Sequence, residues 1–544
     1  MKLQPEIIKL LNKRGIKTEE EISEFLSDKP QKTYDPFLLL NMEAGVDLVL
    51  SAIENEEKIC IYGDYDTDGI TSTSLLLDVL SHLTDKLSYH LPSRFKEGYG
   101  LNCNALKEIR ESGVSLVITV DCGSVSPVEV DYAKSIGLKM LVTDHHTIGD
   151  TISDCLVINP KQPGCPYPFK ELAGVGVAFK LAQAIAATTG LPKTIVSRTL
   201  DLVGIGTIGD IVPLVDENRT LAKYGLRTVR LTERPGLDEL IKGIGLDKKK
   251  INSGHVSFGI VPHLNAAGRL DDASYGVELM TCRSREEAEP IVEKLIALNS
   301  RRKNLQEETF KICMEKYRQY YSQDNFILVE LEEAHEGITG IVAGKLKERY
   351  YKPAVIVTPV EDGLYKGTGR SIDGINLYNL LNENAELFEK FGGHKAACGF
   401  TIRKENINRL RDSLNASADK LREENPELYI ETVTPDLEPA PEDITFDLLK
   451  DIDRLEPFGC ENPKPFVGIT ARAEDVRKMG KEGQYIRFSG ILSGSRPLSC
   501  VVFKSADKFE KTIYSGKLMK VTGDLGKQEW NGRTYLQLNV KDIK

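Results

Sequence analysis

Four short segments rich in aspartate and histidine punctuate the first 210 residues: Asp64-Tyr65-Asp66-Thr67-Asp68-Gly69, Asp121-Cys122-Gly123, Asp144-His145-His146 and Asp210. One aspartate behind an apolar run is ordinary, because it can cap the helix that follows. Aspartates spaced DxD and followed by glycine aim their side chains into one crevice. Their mutual repulsion there is costly unless cations fill it. Carboxylate oxygens with imidazole and no thiolate suit Mn²⁺ or Mg²⁺ better than zinc. So many acidic groups imply two ions, with Asp121 placed to bridge and the others to flank. Two ions ~3.5–4 Å apart are a standard device for in-line attack on a phosphodiester.

Such groups must be positioned by a rigid frame. The run Lys58-Ile59-Cys60-Ile61-Tyr62 reads as a short buried strand ending in the first acidic segment, with an apolar helix over 71–83 behind it. Three further strands, SLVITV, KMLVT and CLVIN, run into Asp121, Asp144 and Pro160, with helices expected between them at 105–112 and 127–135. Strands alternating with helices indicate a parallel, wound α/β sheet. Ligands bind at the carboxyl ends of such strands, where the acidic and histidine residues fall. A helical stretch over 171–209 leads to Asp210.

The rest of the chain divides by pattern. Residues 1–50 read as short helices packing on the core, and 51–283 as the catalytic domain. A charged helix over 284–323 should bridge two lobes around a groove too narrow for duplex. A second α/β unit over 324–425 carries the strands FILVEL and PAVIV, the loop 367–371 and the strip Gly392-Gly393-His394. The acidic, proline-bearing stretch within 426–465 reads as a linker. Over 466–544, five strands with a helix between the third and fourth follow the order of an OB-fold barrel, a common binder of single strands.

The net charge is −10, but its distribution is uneven: residues 466–544 hold 15 Lys and Arg against 8 Asp and Glu, a balance of +7, which leaves −17 for residues 1–465. A basic terminal unit on an acidic body suits a module that tracks phosphates. The start lacks the apolar core of a signal peptide, and no run approaches the roughly 20 apolar residues of a membrane span. Ten scattered cysteines without a CxxC pair argue against a zinc module and for a reduced, cytoplasmic setting.

The motifs DYDTDG, VDCG, TDHH and GTIGDIVPL, in this order, resemble the four motifs of the DHH phosphoesterase family. RFKEGYG (94–100), LNAAGRL (264–270), HEGITGIVAGKLKERY (335–350), GTGRS (367–371), FGGHKAACGF (391–400) and LEPFGCENPKP (455–465) extend the resemblance to the RecJ-type members over nearly the whole chain. That resemblance implies a single-stranded-DNA exonuclease of DNA repair and recombination, acting 5′→3′ and releasing 5′-mononucleotides. It implies Asp66, Asp68, Asp121, His145 and Asp210 as ligands of the two ions, with Asp64 just outside them. His146 would contact the scissile phosphate or support the ligands, and Asp144 would orient the histidines. Arg94, Tyr99, Arg269, His335, Thr368, Arg370, Ser371, Gly392, Gly393 and His394 would meet the substrate: the arginines at phosphates, Tyr99 against bases. A RecQ-like helicase and a single-strand-binding protein are partners implied only in this way. So is the expectation that a further C-terminal domain, present in some longer members, is not part of this sequence.

Two positions depart from the pattern. His263 stands before LNAAGRL where arginine is usual, which weakens any phosphate clamp there. Cys460-Glu461 replaces a glycine-rich pair. Two other readings keep or lose the chemistry: a DHH enzyme for short oligonucleotides, cyclic dinucleotides or pyrophosphate, or an inert RecJ-like scaffold. The barrel argues against the first, the intact acidic set against the second.

Overall fold

The computed structural model describes residues 3–544 except Lys96, Tyr99, Asp150, Glu361, Asp362, Lys481, Glu482, Ser495, Lys504 and Ser505. The substrate contact expected of Tyr99 lies outside the described residues.

Five parallel strands, β1 (Lys58–Tyr62), β2 (Leu87–His90), β3 (Val114–Val120), β4 (Lys139–Thr143) and β5 (Leu156–Ile158), form a sheet of order β2-β1-β3-β4-β5. Their apolar runs are buried on both faces, as a sheet covered by helices requires. The strand β2 is absent from the sequence reading: Leu-Ser-Tyr-His is short and half-buried at the sheet edge, so it carries no apolar run. The chain leaves β1 for β2 on one side and returns to β3 on the other. The crevice between the ends of β1 and β3 is therefore a topological switch point. Behind the sheet lie helices Met42–Glu54, Thr67–Leu80, Gly174–Thr189 and Leu200–Gly209.

The bridging helix runs from Arg285 to Tyr320, 36 residues or roughly 54 Å. It packs on the first lobe and on helix Glu336–Tyr350 of the second. The second lobe is a mixed sheet of β6 (Ile327–Glu330), β7 (Ala354–Pro359), β8 (Leu364–Arg370), β9 (Phe388–His394) and β10 (Ala397–Arg403), in the order β6-β7-β8-β10-β9. This corrects the expected loop at 367–371: Gly367, Thr368, Gly369 and Arg370 lie inside β8, and Gly392, Gly393 and His394 inside β9. Glycine weakens a strand's signature, and here it is required by packing. A Cβ at Gly367 would stand 2.1 Å from the Phe400 ring.

The strands β11 (Phe466–Met479), β12 (Tyr485–Ile491), β13 (Leu498–Val502), β14 (Leu518–Trp530) and β15 (Arg533–Ile543) close a barrel, with helix Ala506–Tyr514 between β13 and β14. Its core corrects two boundaries. Helix Pro5–Lys13 puts Ile7, Leu10 and Leu11 into the barrel core and not into the sheet lobe. Leu437 and helix Phe446–Asp453, from the stretch read as a linker, fill the same core through Leu448, Leu449 and Ile452. The barrel and these flanking segments are one body. Among the described residues no helix is long and apolar enough to cross a membrane, and all ten cysteines are free.

Candidate metal centre

Because all five strands of the first sheet run the same way, the segments after β1, β3 and β4 emerge at one edge. The turn after β1 is built by its own aspartates. Asp64 Oδ1 accepts from Tyr65 N at 2.8 Å. Asp66 caps helix Thr67–Leu80, accepting from Asp68 N at 2.9 Å and Gly69 N at 3.3 Å. The capping role and the cluster role thus coincide in one residue. Asp68 is fully buried and accepts from Gly174 N at 2.7 Å and Val175 N at 2.8 Å, the first turn of helix Gly174–Thr189. Asp121 holds a left-handed backbone, φ 61°, a strain tolerated where the surroundings over-determine the site. Asp210 ends helix Leu200–Gly209, where the macrodipole disfavours a carboxylate.

These groups converge on His145. Its Nε2 lies 3.1 Å from Asp121 Oδ1, 3.5 Å from Asp210 Oδ2 and 3.9 Å from Asp68 Oδ2. Neither that nitrogen nor Asp121 Oδ1 has a hydrogen-bond partner among the described residues, although both are buried. Ligand atoms of Asp64, Asp66 and Asp121 form one group within 4.8 Å, those of Asp68, His145 and Asp210 a second, and those of Asp121, Asp144, His145 and His146 a third. Asp121 belongs to two of the three.

Electrostatics carry the mark of missing positive charge. Burial, then the charge of Asp66, pushes Asp64 up to about 8 and Asp68 up to about 7. Burial and the charge of Asp68 push Asp210 up to about 9, and Asp121 rises well above the carboxylate range for the same reasons. Burial pulls His145 down to about 3, so its imidazole is neutral and ready to ligate. Asp144 behaves oppositely: despite burial, its hydrogen bond to His146 Nδ1 at 2.8 Å holds it low. It also accepts from Ser124 N and from the backbones of His145 and His146, so it orients the His146 ring and fixes the backbone of both histidines. An oxygen-rich donor set with one neutral imidazole fits two hard divalent cations.

Glycines let the pieces close. A Cβ at Gly174 would stand 2.7 Å from Asp121, and one at Gly206 2.9 Å from Asp68 Oδ1. Gly268 lies against Tyr65, whose carbonyl oxygen would be 2.4 Å from an added Cβ. That helix, Val261–Leu270, also pins the turn through Asn265 Oδ1, which accepts from Thr67 N and Oγ1. Asn265 and these glycines were not singled out from sequence; their signal is the small-residue run of LNAAGRL and of Ala173-Gly174-Val175-Gly176.

The expected substrate residues fall in different places. Arg94 lays its guanidinium 4.2 Å over the Tyr65 ring, with a buried Nε that has no partner among the described residues. Arg269 stands close enough to Arg94 for burial and that charge to pull it down to about 10. Arg269 Nη1 donates to Gly337 O at 3.1 Å, tying the first lobe to the second. His335 caps helix Glu336–Tyr350 and meets Phe95 edge-on, the ring centroids 5.3 Å apart. Arg370 is held by its bond to Gly369 O, and Gly340 leaves room for it. Thr368 Oγ1 lies 3.3 Å from Thr339 Oγ1. His394 is exposed at the end of β9 with Gly392 and Gly393 beside it. Ser371 is buried and donates to Ile375 O, a turn contact within its own segment. His263 bridges Gly259 O and Asn299 and is a packing residue.

A groove of about 930 Å³ opens from Asp210's neighbours. Its walls are Ile211, Phe258 and Arg269 of the first lobe, Arg302 of the bridging helix, Ile341 of the second lobe, and Lys464 and Asp524 of the barrel body.

A parallel sheet with these four motifs at one edge, joined by a long helix to a smaller mixed sheet, is the DHH architecture. Residues 58–207 match the DHH family N-terminal domain, 323–420 the DHHA1 domain and 435–542 the RecJ OB domain. The single-stranded-DNA-specific exonuclease RecJ of Bacillus subtilis is 41% identical over 99% of this chain and 68% of its own length. The protein of the same description from Escherichia coli is 32% identical over 99% of this chain and 96% of its own. The crystal structure of RecJ from Thermus thermophilus in complex with Mn²⁺ superposes with a TM-score of 0.83 at 27% identity, covering 100% of this chain and 76% of that one. The chain belongs to the RecJ family of DHH proteins.

Proposed function

We propose that the protein is a metal-dependent exonuclease that degrades single-stranded DNA 5′→3′ to 5′-mononucleotides, in DNA repair and recombination. The observation that carries this reading is the buried group of Asp64, Asp66, Asp68, Asp121, His145 and Asp210, next to a groove that runs past the chain neighbours of Asp210 and that all three bodies line. Asp66, Asp68, Asp121, His145 and Asp210 would hold two Mn²⁺ or Mg²⁺ ions, with Asp121 shared and Asp64 supporting. Bound there, such ions supply a low-pKa water and neutralise charge on the phosphoryl group.

The chain's own residues do the rest. Asp144 fixes His146, whose imidazole would contact the scissile phosphate or support the ligands. Arg94 and Arg269, two neighbouring cations with no carboxylate bonded to either among the described residues, take a backbone phosphate. Arg370 and His394 receive the strand's end from the second lobe. The 5′→3′ direction rests on the family resemblance, as do a cytoplasmic setting and partners such as a RecQ-like helicase and a single-strand-binding protein.

The test is hydrolysis of single strands labelled at the 5′ or the 3′ end, beside blunt duplex and cyclic dinucleotides, with Mn²⁺, with Mg²⁺ or with EDTA. Early release of a 5′-terminal mononucleotide, Mn²⁺-dependent and absent on blunt duplex, is the expected result. Activity confined to cyclic dinucleotides, or none with either metal, would overturn the reading.

A further inference from the structure

The connection from Asp210 to the next helix is strained at both ends. Ile211 holds φ 63° and Asp216 φ 49°, left-handed values that such residues keep only where the surroundings impose them. Helix Asp216–Leu231 starts there, and its second and third residues, Glu217 and Asn218, are fully buried. Neither belongs to the ligand groups of the metal centre.

Asn218 spends its amide hydrogens on two distant carbonyls. Its Nδ2 donates to Pro213 O at 3.1 Å and to Glu171 O. Pro213 lies three residues past Asp210, and Glu171 three residues ahead of Gly174, whose N–H holds Asp68. One side chain thus ties the segment behind one carboxylate to the segment ahead of the other's anchor. Its own Oδ1 is buried with no partner among the described residues.

Glu217 spans the same gap with a charge. It pairs with Lys180 of helix Gly174–Thr189, and accepts from Tyr167 OH and from Tyr34 N at 3.1 Å. Lys180 Nζ also donates to Tyr34 O at 2.8 Å. Lys180 and Glu217 are 1% and 0% exposed. Such a pair gives up the hydration of both ions, and apolar residues of similar volume often serve stability as well or better. What it supplies is a fixed distance between the first turns of two helices. Those turns bear on one ligand group, Asp68, His145 and Asp210.

We propose that Asn218 and the Lys180–Glu217 pair are positioning residues of the metal centre, setting Asp210 against Asp68 across His145. The group of Asp64, Asp66 and Asp121 is built from other segments, after β1 and β3, and is set without them. This rests on the two-ion reading above and names residues outside the ligands that decide how tightly one of the two ions is held.

The test is calorimetric titration of Mn²⁺ into the full chain as wild type, as Asn218→Ala and as the double variant Lys180→Met/Glu217→Met, each first melted in EDTA. The double variant, with both charges removed together, should melt within a few degrees of wild type. In both variants one ion should bind about 10- to 100-fold more weakly, the range for losing a group that orients metal ligands, and the other within about threefold of wild type. Electron paramagnetic resonance of the loaded wild type should show a spin-coupled pair of ions. The variants should show an isolated ion, and excess Mn²⁺ should restore the coupled signal and hydrolysis together. Folded variants with both affinities unchanged overturn the positioning role, as do two affinities weakened equally alongside a lowered melt. Loss of cooperative melting in both variants assigns the network to the fold and overturns it too. A wild type that takes up no Mn²⁺ overturns the two-ion reading itself.

Discussion

Binding of Mn²⁺ should release about two protons near neutral pH, and the number follows from the buried carboxylates. Asp64 is pushed up to about 8, Asp68 to about 7 and Asp210 to about 9, all against an unfolded value of ~3.9. Asp121 is raised as well, so at pH 7 the folded, metal-free protein holds protons shared among Asp64, Asp68, Asp121 and Asp210. A cation that takes these oxygens must displace them. With about two or more protons released, the apparent affinity should rise on the order of 100-fold or more per pH unit around pH 7 and level off where the raised carboxyls are all ionised. His145, pulled down to about 3, contributes none. The same shifts set the stability of the metal-free protein. Each pKa is raised on folding, so the stability these groups contribute is present below ~4 and is lost as pH rises through 7 to 9. Saturating Mn²⁺ should remove that loss. Calorimetric titration in two buffers of different ionisation heat counts the protons. Fewer than about half a proton at pH 7 would refute the unneutralised-cluster argument.

The other expectations are briefer. Asp121→Asn should abolish Mn²⁺-dependent hydrolysis while raising the metal-free protein's stability by roughly 1–3 kcal/mol, a typical single-mutation magnitude; thermal melts with EDTA check it, and a lowered melting temperature counts against it. Arg370→Ala should cost about 1.5–3 kcal/mol in kcat/KM on 5′-phosphorylated strands, the value of a charged hydrogen bond, with little change in melting; wild-type kinetics would remove Arg370 from the site. Gly268→Ala should lower both activity and stability, by about 1–3 kcal/mol for the latter, because its Cβ would meet the Tyr65 carbonyl at 2.4 Å. An unshifted melt would show that the helix can move away without cost.

The centre was legible in the sequence because its signal is chemical and local: each acidic segment follows an apolar run, and a parallel sheet gathers strand ends by construction. The second lobe was less so. Its substrate-facing motifs sit in glycine-bearing strands, and Gly367 and Gly393 are dictated by Phe400 and Cys398 packed against them, contacts that only the tertiary structure supplies. Ser371 sits buried in a turn, its hydroxyl donating to Ile375 O, a contact that no local pattern of the motif announces. The boundaries failed for a related reason. Proline and acidic composition mark the exposed part of 426–465 correctly, but the apolar face of helix Phe446–Asp453 finds its partner in a barrel that follows it.

That misplaced boundary bears on how DNA reaches the centre. Arg219 of the first lobe is buried without a carboxylate partner among the described residues, its guanidinium 3.6 Å over the Phe25 ring. It donates to Phe25 O, to Glu456 O at 2.9 Å and to Pro457 O at 3.5 Å, all segments of the barrel body. A buried cation satisfied only by backbone carbonyls is a costly device, and burial pulls it down to about 9. Its bonds fix the position of the barrel body against the first lobe. Leu214 N, four residues past Asp210, donates to Cys460 O at 2.9 Å in the same junction. This bond is through the backbone, so the cysteine in place of the usual small residue leaves it intact, while Glu461 occupies a left-handed position, φ 57°, that glycine would fill at least cost. The groove wall from Glu456 to Lys464 is thereby set against the metal centre within a few residues. On the single-strand reading proposed above, a barrel of +7 clamped in this way would form a fixed entrance to an acidic body, where it would hold a strand's phosphates over the groove while its end reaches carboxylates that would otherwise repel it.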